Sequence, residues 1–324
     1  MKKIVSILSL VLAASLAFAD TDADARQTLA AGSVDDVIRQ LNSKTSASPN
    51  DAEAFHLLNR AYFVLDKWDQ AIKAGEKAIA LKPSSSDYHM WLGRAYGSKA
   101  EHSGWFGGMQ NAKKARAEFE KSVELNSMNA EARTDLAEFY MEAPGILGGG
   151  KDKALAQAEA MAAYDAASAH WVKGRVAEKN GQFDVAETEY KTAIDVSKRP
   201  AGDWLNLASF YRHRGRTAEV EDAIHHALDA DKSAAHKKSN VLYGAAEILY
   251  RSGRDFNGAA QLLRRYLNGP EKTEDAPAFQ AHYLLGEILE KQGDKPGAAE
   301  EYRAALALAP AYEQAQSALK RVSQ

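Results

Sequence analysis

The chain has 324 residues, of which 45% are hydrophobic and 26% charged, and its formal net charge is -3. This composition excludes a disordered chain, and the nearly neutral balance gives no electrostatic reason to expect nucleic acid or an anionic membrane as partner. Because the sequence contains no cysteine, disulfides, thiolate catalysis and cysteine-ligated zinc are excluded as well.

The N-terminus has the pattern of a secretory leader. Two lysines precede an apolar run from Ile4 to Leu16, and Ala17-Phe18-Ala19 then offers small residues at a cleavage site. The apolar run is shorter than the about 20 residues that span a bilayer. We therefore predict that residues 1–19 are a signal peptide cleaved after Ala19, with an uncleaved anchor as the alternative. The mature chain is then periplasmic or secreted and has no transmembrane segment.

A repeat of about 34 residues runs through the rest of the chain, and it is clearest at residues 281–310. In that copy the regularly spaced residues are Leu285, Gly286, Leu289, Gly293, Ala298, Tyr302, Ala305 and Pro310. Small residues recur where two helices must approach closely, and apolar residues three or four apart form a buried stripe. Glycine and proline mark the helix ends. No stretch alternates with period two, so no sheet is predicted.

In these positions the chain resembles the tetratricopeptide repeat (TPR) family. The resemblance implies an all-α fold: a right-handed α-solenoid of about seven helix pairs, with a degenerate N-terminal repeat and a C-terminal capping helix. The solenoid is predicted over residues 20–324, with the cap at 313–324. The predicted repeats span residues 20–51 (degenerate), 52–85, 86–129, 130–166, 167–200, 201–234, 239–272 and 279–312.

Two repeats are longer than the period, and insertions in a repeat array map to loops that often form a binding face. The spacing from first-helix glycine to second-helix alanine is 22 residues in repeat 86–129, against 12 in the last repeat. The extra residues, around 101–110, carry Trp105 and Phe106 between glycines. Two aromatic side chains in such a loop either fold back onto the solenoid or contact a partner.

The second insertion, at residues 145–151, contains a near match to a phosphate-binding loop. From Gly145 it reads G-x-x-x-x-G-K-D, where the phosphate-binding motif ends in serine or threonine. That motif follows a strand, whereas the residues before this loop have a helical pattern. We interpret residues 145–152 as a turn between helices, with Asp152 as the N-cap of the second helix. An enzyme with a nucleotide or hydrolytic site at this loop is the alternative.

In the TPR family the first helix of each unit lines a concave groove, and its fifth and ninth positions share one face. The resemblance carries these positions over to His56 and Arg60, Met90 and Arg94, Thr134 and Glu138, Trp171 and Arg175, Leu205 and Ser209, Tyr243 and Glu247, and Tyr283 and Glu287. We predict that the arginines of the first half form a positive strip for an acidic peptide, and that the glutamates of the last two units prefer a basic one. The lysine–asparagine pair with which some family members clamp a terminal carboxylate is absent from these positions.

The nine histidines form no metal-binding motif, and no cofactor is predicted. His89, His170 and His282 share one repeat position, where we expect them to pack between helices. The sequence therefore predicts a non-catalytic scaffold that binds a protein or peptide partner. A structural protein associated with saccharide or the cell envelope is a second alternative.

Overall fold

The computed structural model describes residues 25–233, 239–269 and 272–324, so the predicted leader lies outside the described residues. Within these ranges the chain is helical, apart from one isolated bridge between Thr273 and Ala276. The helices are residues 25–30 (α1), Val34–Ala47 (α2), Ala52–Phe63 (α3), Trp68–Leu81 (α4), Ser86–Glu101 (α5), Trp105–Leu125 (α6), Ala130–Glu142 (α7), Lys151–Met161 (α8), Ala166–Lys179 (α9), Phe183–Val196 (α10), Pro200–His213 (α11), Thr217–Ser233 (α12), Val241–Arg251 (α13), Phe256–Asn268 (α14), Ala278–Lys291 (α15), Lys295–Leu308 (α16) and Glu313–Val322 (α17). A 3-10 turn, η1, spans Gly145–Leu147. Over the described part of the chain, no helix is both long enough and apolar enough to cross a bilayer.

Successive helices pack as pairs, and the pairs stack on one another. The pairs run from α3 with α4 to α15 with α16. The first helices of neighbouring pairs also contact each other, for example α5 with α7 and α7 with α9. Each pair leaves an apolar face that only the next pair can cover, which is why the repeat stacks. The predicted all-α solenoid of the TPR type is confirmed.

The glycines of the repeat lie where two paired helices come into contact. A β-carbon added at these glycines would collide with a buried ring of the second helix, at 2.7 Å for Gly93 and Phe119, 2.9 Å for Gly174 and Tyr190, and 2.5 Å for Gly286 and Tyr302. These distances are far below a van der Waals contact of about 3.5–4.0 Å. The absence of a side chain therefore sets the spacing within the pair.

The first and last repeats pack against each other, a contact that the repeat period does not predict. The Asp35 side chain accepts a hydrogen bond from the Ala311 backbone N–H at 3.2 Å. The Val64 carbonyl accepts one from the Gln280 side chain at 3.1 Å. An ion pair joins Arg60 to Glu274 at 2.6 Å, with both side chains mostly buried. We call this contact, between residues 25–66 and 274–315, the closure.

An apolar core runs through the closure. Leu29, Leu57 and Leu58 of the first repeats belong to the same buried cluster as Phe279 and Tyr312. The C-terminal helix α17 also contributes, because its Ala315 joins this cluster while Ala318 and Val322 pack on the core of the last repeats. A capping helix covers the end of an array, and α17 in addition connects the last repeat to the first.

The first insertion is helical, so the prediction of a loop at 101–110 is wrong. The extra residues lengthen both helices of the pair, to 16 residues in α5 and 21 in α6, against 14 in each helix of the last pair. Trp105 and Phe106 are the first residues of α6. The strong helix formers from Lys113 onward explain the difference, since they extend the helix back through the glycines before them.

The second insertion folds back onto the end of α7. The Gly150 N–H donates to the Tyr140 carbonyl at 2.8 Å, and a β-carbon at Gly149 would lie 1.7 Å from the Ala143 carbonyl oxygen. Because this fold-back lets α8 begin at Lys151, Gly150 occupies the N-cap position and Asp152 lies in the first turn. The prediction of Asp152 as N-cap is therefore wrong.

Candidate functional site

The two insertions face each other across a cavity of about 700 Å³. The start of α6 forms one wall and the end of α7 with η1 forms another. The apolar lining includes Phe63, Trp105, Met109, Ala112, Phe119, Phe139, Pro144 and Leu147, and the polar lining includes Arg94, Asp135 and Glu138. A cavity of this size and mixed character is typical of a ligand- or peptide-binding site.

Large apolar side chains are exposed beside this cavity. Trp105 is 76% exposed, Phe106 83% and Ile146 82%. Trp105 and Phe106 therefore do not fold back onto the solenoid, which was the first of the two predicted outcomes. Exposed apolar side chains grouped around a cavity mark an interaction surface more often than isolated ones do.

The predicted positive strip is neutralised within the chain. Arg94 donates to both oxygens of Asp135, at 2.6 and 3.1 Å, and to Glu131 at 2.7 Å. Burial opposes the charge of Arg94, but these two carboxylates outweigh it and raise the pKa of the guanidinium. Because Asp135 and Glu131 already balance the charge of Arg94, the structure does not support its predicted role in binding an acidic peptide.

The other two arginines of the strip are engaged in the same way. Arg60 pairs with Glu274 in the closure and lies over the Trp91 ring, 4.4 Å from its centre. Arg175 contacts Glu142 at 3.5 Å and lies 5.9 Å from the centre of the Trp171 ring. Neither guanidinium is left to attract an acidic partner, because each has a carboxylate of its own chain beside it.

Two further predicted groove residues are inaccessible. His56 is 4% exposed and Met90 is 2% exposed, so the prediction that they contact a partner is wrong. The His56 ring stacks on Tyr88 at 4.5 Å, and its burial lowers the pKa of the imidazole to about 3. His56 is therefore a neutral packing residue. The remaining first-half candidate, Trp171, is partly buried between two apolar clusters.

Glu138 contributes a carboxylate to the cavity. The structure shows no hydrogen bond or ion pair for the Glu138 side chain among the described residues, although Asp135 lies one turn before it. Burial is the main cause that raises the pKa of Glu138, and the negative charge of Asp135 adds to it. The charges of Arg175 and Arg94 oppose this shift without an ion pair, so the cavity combines an apolar wall with an unpaired carboxylate.

The last two predicted pairs lie together in a second cavity. Tyr243 and Glu247 of α13 and Tyr283 and Glu287 of α15 line a space of about 240 Å³. Tyr250 and Tyr312 also line it, together with Arg251, Gln280 and Leu284, and the repeat positions did not predict these residues. Tyr250 lies seven residues after Tyr243, two helical turns along the same face, and that spacing was the signal in the sequence.

The glycine-rich turn lacks the context of a phosphate-binding loop. Helix α7 precedes it, where such a loop would follow a strand. The amine of Lys151 donates to the Asn180 side chain and, at 3.4 Å, to the Lys179 carbonyl. It therefore binds the turn of the next repeat. In the part of the chain that the structure describes, no group of three or more metal-ligating side chains is placed to hold an ion.

The three equivalent histidines each bond a glutamate on the second helix of their pair. The Nδ1–Oε2 distances are 2.6 Å for His89 and Glu118, 2.6 Å for His170 and Glu189, and 2.7 Å for His282 and Glu301. The packing prediction did not include this partner. The sequence carries the signal, because histidine and glutamate are 19 residues apart in two repeats and 29 apart in the repeat with the ten-residue insertion.

Comparison with known proteins agrees with this architecture. Models of the tetratricopeptide repeat match residues 148–203 and 172–235, and a further one matches residues 279–321. A search of the curated proteins found no match.

Solved structures with the same kind of fold are distant in sequence. Yeast Tom70 is 16% identical, with a TM-score of 0.55, over 90% of this chain and 58% of that chain. A thermophilic TPR protein from Thermus thermophilus is 19% identical, over 55% of this chain and 90% of that one, with a TM-score of 0.45. A tetratricopeptide repeat protein from Parabacteroides merdae is 16% identical, over 84% and 99%, with a TM-score of 0.43. The similarity to Tom70 shows the fold alone.

Proposed function

Because the chain is a protein of the tetratricopeptide repeat family, we propose that it is an exported, non-catalytic scaffold that binds a protein partner in the cavity between its two insertions. Proteins of this family are generally non-catalytic, and they typically bind other proteins. The observation that supports the proposal most is the exposure of Trp105 and Phe106, at 76% and 83%, beside a cavity with apolar walls.

The partner segment is defined by the chemistry of the cavity. Phe63, Phe139 and Met109 offer apolar surface, and an aromatic side chain such as Trp105 supplies a large contact area at small entropic cost. Glu138 offers an unpaired carboxylate, while Arg94 is already neutralised. A segment with apolar side chains and one lysine or arginine therefore fits, and an acidic segment does not.

Site-specific photocrosslinking tests this proposal. A photoreactive phenylalanine analogue is placed at Phe106, beside the cavity, and as a control at Met128, which is 61% exposed but does not line it. We expect a defined crosslinked partner from position 106 and none of that partner from position 128. Equal crosslinking from both positions would exclude this cavity as the binding site.

Binding by variants then measures the contribution of the aromatic side chains. The double variant Trp105→Ala/Phe106→Ala should bind the identified partner at least tenfold more weakly, since a buried aromatic anchor contributes about 2 kcal/mol or more. Met128→Ala should bind as the wild type does. Because Trp105 and Phe106 are exposed, the double variant should keep the helical content and thermal midpoint of the wild type, which separates lost contact from lost fold.

Export is part of the proposal and has its own test. The support is the basic, apolar and small-residue pattern of residues 1–19 in the sequence. N-terminal sequencing of the protein purified from the envelope fraction should start at Asp20. A chain that keeps residues 1–19 and stays with the cytoplasmic fraction would contradict export without affecting the binding proposal.

A further inference from the structure

Four tyrosines form the wall of the second cavity, which has a volume of about 240 Å³. Tyr243 and Tyr250 come from α13, Tyr283 comes from α15, and Tyr312 directly precedes α17. This cavity shares no residue with the cavity between the insertions. The two cavities are therefore separate.

Packing holds these rings in fixed positions. Tyr283 and Tyr312 meet edge to face, with ring centres 5.3 Å apart and planes at 84°. Phe279 supports Tyr312 from another side at 5.0 Å, and Tyr250 contacts Phe256 at 6.2 Å. An aromatic wall that is built in advance loses little conformational entropy when a ligand enters.

The cavity also carries a carboxylate without a basic partner. Arg251, the one basic residue that lines the described cavity, pairs with Glu247 at 2.6 Å on its own helix. Glu287 instead accepts a hydrogen bond from the Tyr283 hydroxyl at 3.1 Å, and no basic side chain of the described residues lies within ion-pair distance of it. The neighbouring Arg321 donates two hydrogen bonds to the Glu290 carboxylate, each at 2.8 Å. Burial is the main cause that raises the pKa of Glu287, and it outweighs the opposing effects of the Tyr283 hydrogen bond and of the Arg321 and Lys291 charges.

Tyrosine rings and a carboxylate select for positive charge. The face of a tyrosine ring is negative, so it attracts a nearby cation, and more strongly when water is excluded. An unpaired carboxylate adds a direct ion pair and repels anions. We propose that the cavity formed by Tyr243, Tyr250, Tyr283 and Tyr312 with Glu287 binds an organic ammonium group, either of a small amine or of a lysine side chain on a partner.

The test uses isothermal titration of the purified mature protein with choline, with n-butylammonium, and with 3,3-dimethylbutan-1-ol, which is the uncharged carbon analogue of choline. We expect saturable binding of at least one of the two ammonium compounds and at least tenfold weaker binding of the alcohol. Glu287→Gln should weaken ammonium binding about tenfold, which corresponds to about 1.4 kcal/mol. Glu300→Gln, the same change at an exposed position that lines neither cavity, should leave it unaltered.

A second variant and a peptide complete the experiment. Tyr250→Leu removes one aromatic face and keeps an apolar side chain, so it should also weaken ammonium binding while the circular-dichroism spectrum stays unchanged. The peptide acetyl-Ala-Lys-Ala-amide distinguishes the two sources, because it should bind more tightly than n-butylammonium if the site receives a partner's lysine and more weakly if it receives a free amine. The proposal is overturned if neither ammonium compound binds, if the alcohol binds as tightly, or if both variants bind like the wild type. None of these outcomes bears on the crosslinking at position 106.

Discussion

Two glycines of helix α5, one turn apart, permit a direct measurement of how closely the paired helices approach. A β-carbon at Gly93 would lie 2.7 Å from the buried Phe119 ring, whereas nothing lies within 4 Å of one at Gly97. Both Gly→Ala changes gain helix propensity, worth up to about 1 kcal/mol. Only Gly93→Ala also incurs overpacking, at about 1–3 kcal/mol.

The free energy of unfolding should therefore be about 1–3 kcal/mol lower for Gly93→Ala than for Gly97→Ala. Since the propensity gain is common to both, the difference isolates the helix–helix contact. Urea denaturation followed by circular dichroism measures it, provided that both variants unfold in a single transition with the same slope as the wild type. If Gly93→Ala is as stable as Gly97→Ala, the close approach of α5 and α6 does not exist as described.

Three further predictions concern other parts of the molecule. Burial lowers the pKa of His56 to about 3 in the folded chain. Below pH 6.5 the imidazole is therefore protonated in the unfolded chain but stays neutral in the folded one, so the free energy of unfolding falls as the pH falls from 6.5 toward 3. At pH 5 this loss of stability is about 2 kcal/mol, and His56→Phe should abolish it. The measurement is the difference between the pH–stability profiles of the wild type and the variant. Glu274→Gln leaves Arg60 mostly buried without its carboxylate and should lower the free energy of unfolding by about 1–3 kcal/mol. Glu300→Gln, at an exposed position, should lower it by less than about 0.5 kcal/mol. Equal losses of stability in the two variants would contradict the closure. Titration with Mg-ATP should show no saturable binding below the millimolar range, and a micromolar affinity that Lys151→Ala abolishes would refute our interpretation of the glycine-rich turn.

The repeat could be predicted from the sequence because its determinants are local. Gly286 and Tyr302 are 16 residues apart, within one helix pair, and their spacing recurs at Gly174 and Tyr190. A pattern that recurs in each unit identifies the helices, their pairing and the buried stripe without knowledge of the overall shape.

The site was less predictable because its determinants are not periodic. The repeat frame places Arg60 in an open groove, but Glu274, 214 positions later, occupies the space beside it. Arg94 is neutralised by Asp135 of the next pair, which the chemistry of a single repeat position cannot indicate. The sequence left open whether Trp105 folds back onto the solenoid or is exposed, and the cavity beside it depends on a second insertion about 40 residues further along the chain.

The closure also leads us to expect a particular order of folding. The middle pairs are stabilised by contacts between neighbours in the chain, and such local contacts form quickly. The core that Leu57 shares with Phe279 and Tyr312 requires partners more than 200 residues apart, so we expect it to form last and slowly. During synthesis the first repeats leave the ribosome with this apolar surface uncovered, and it stays exposed until the residues beyond 270 have been made. The N-terminal repeats are therefore the segment of the nascent chain that most needs protection by a chaperone.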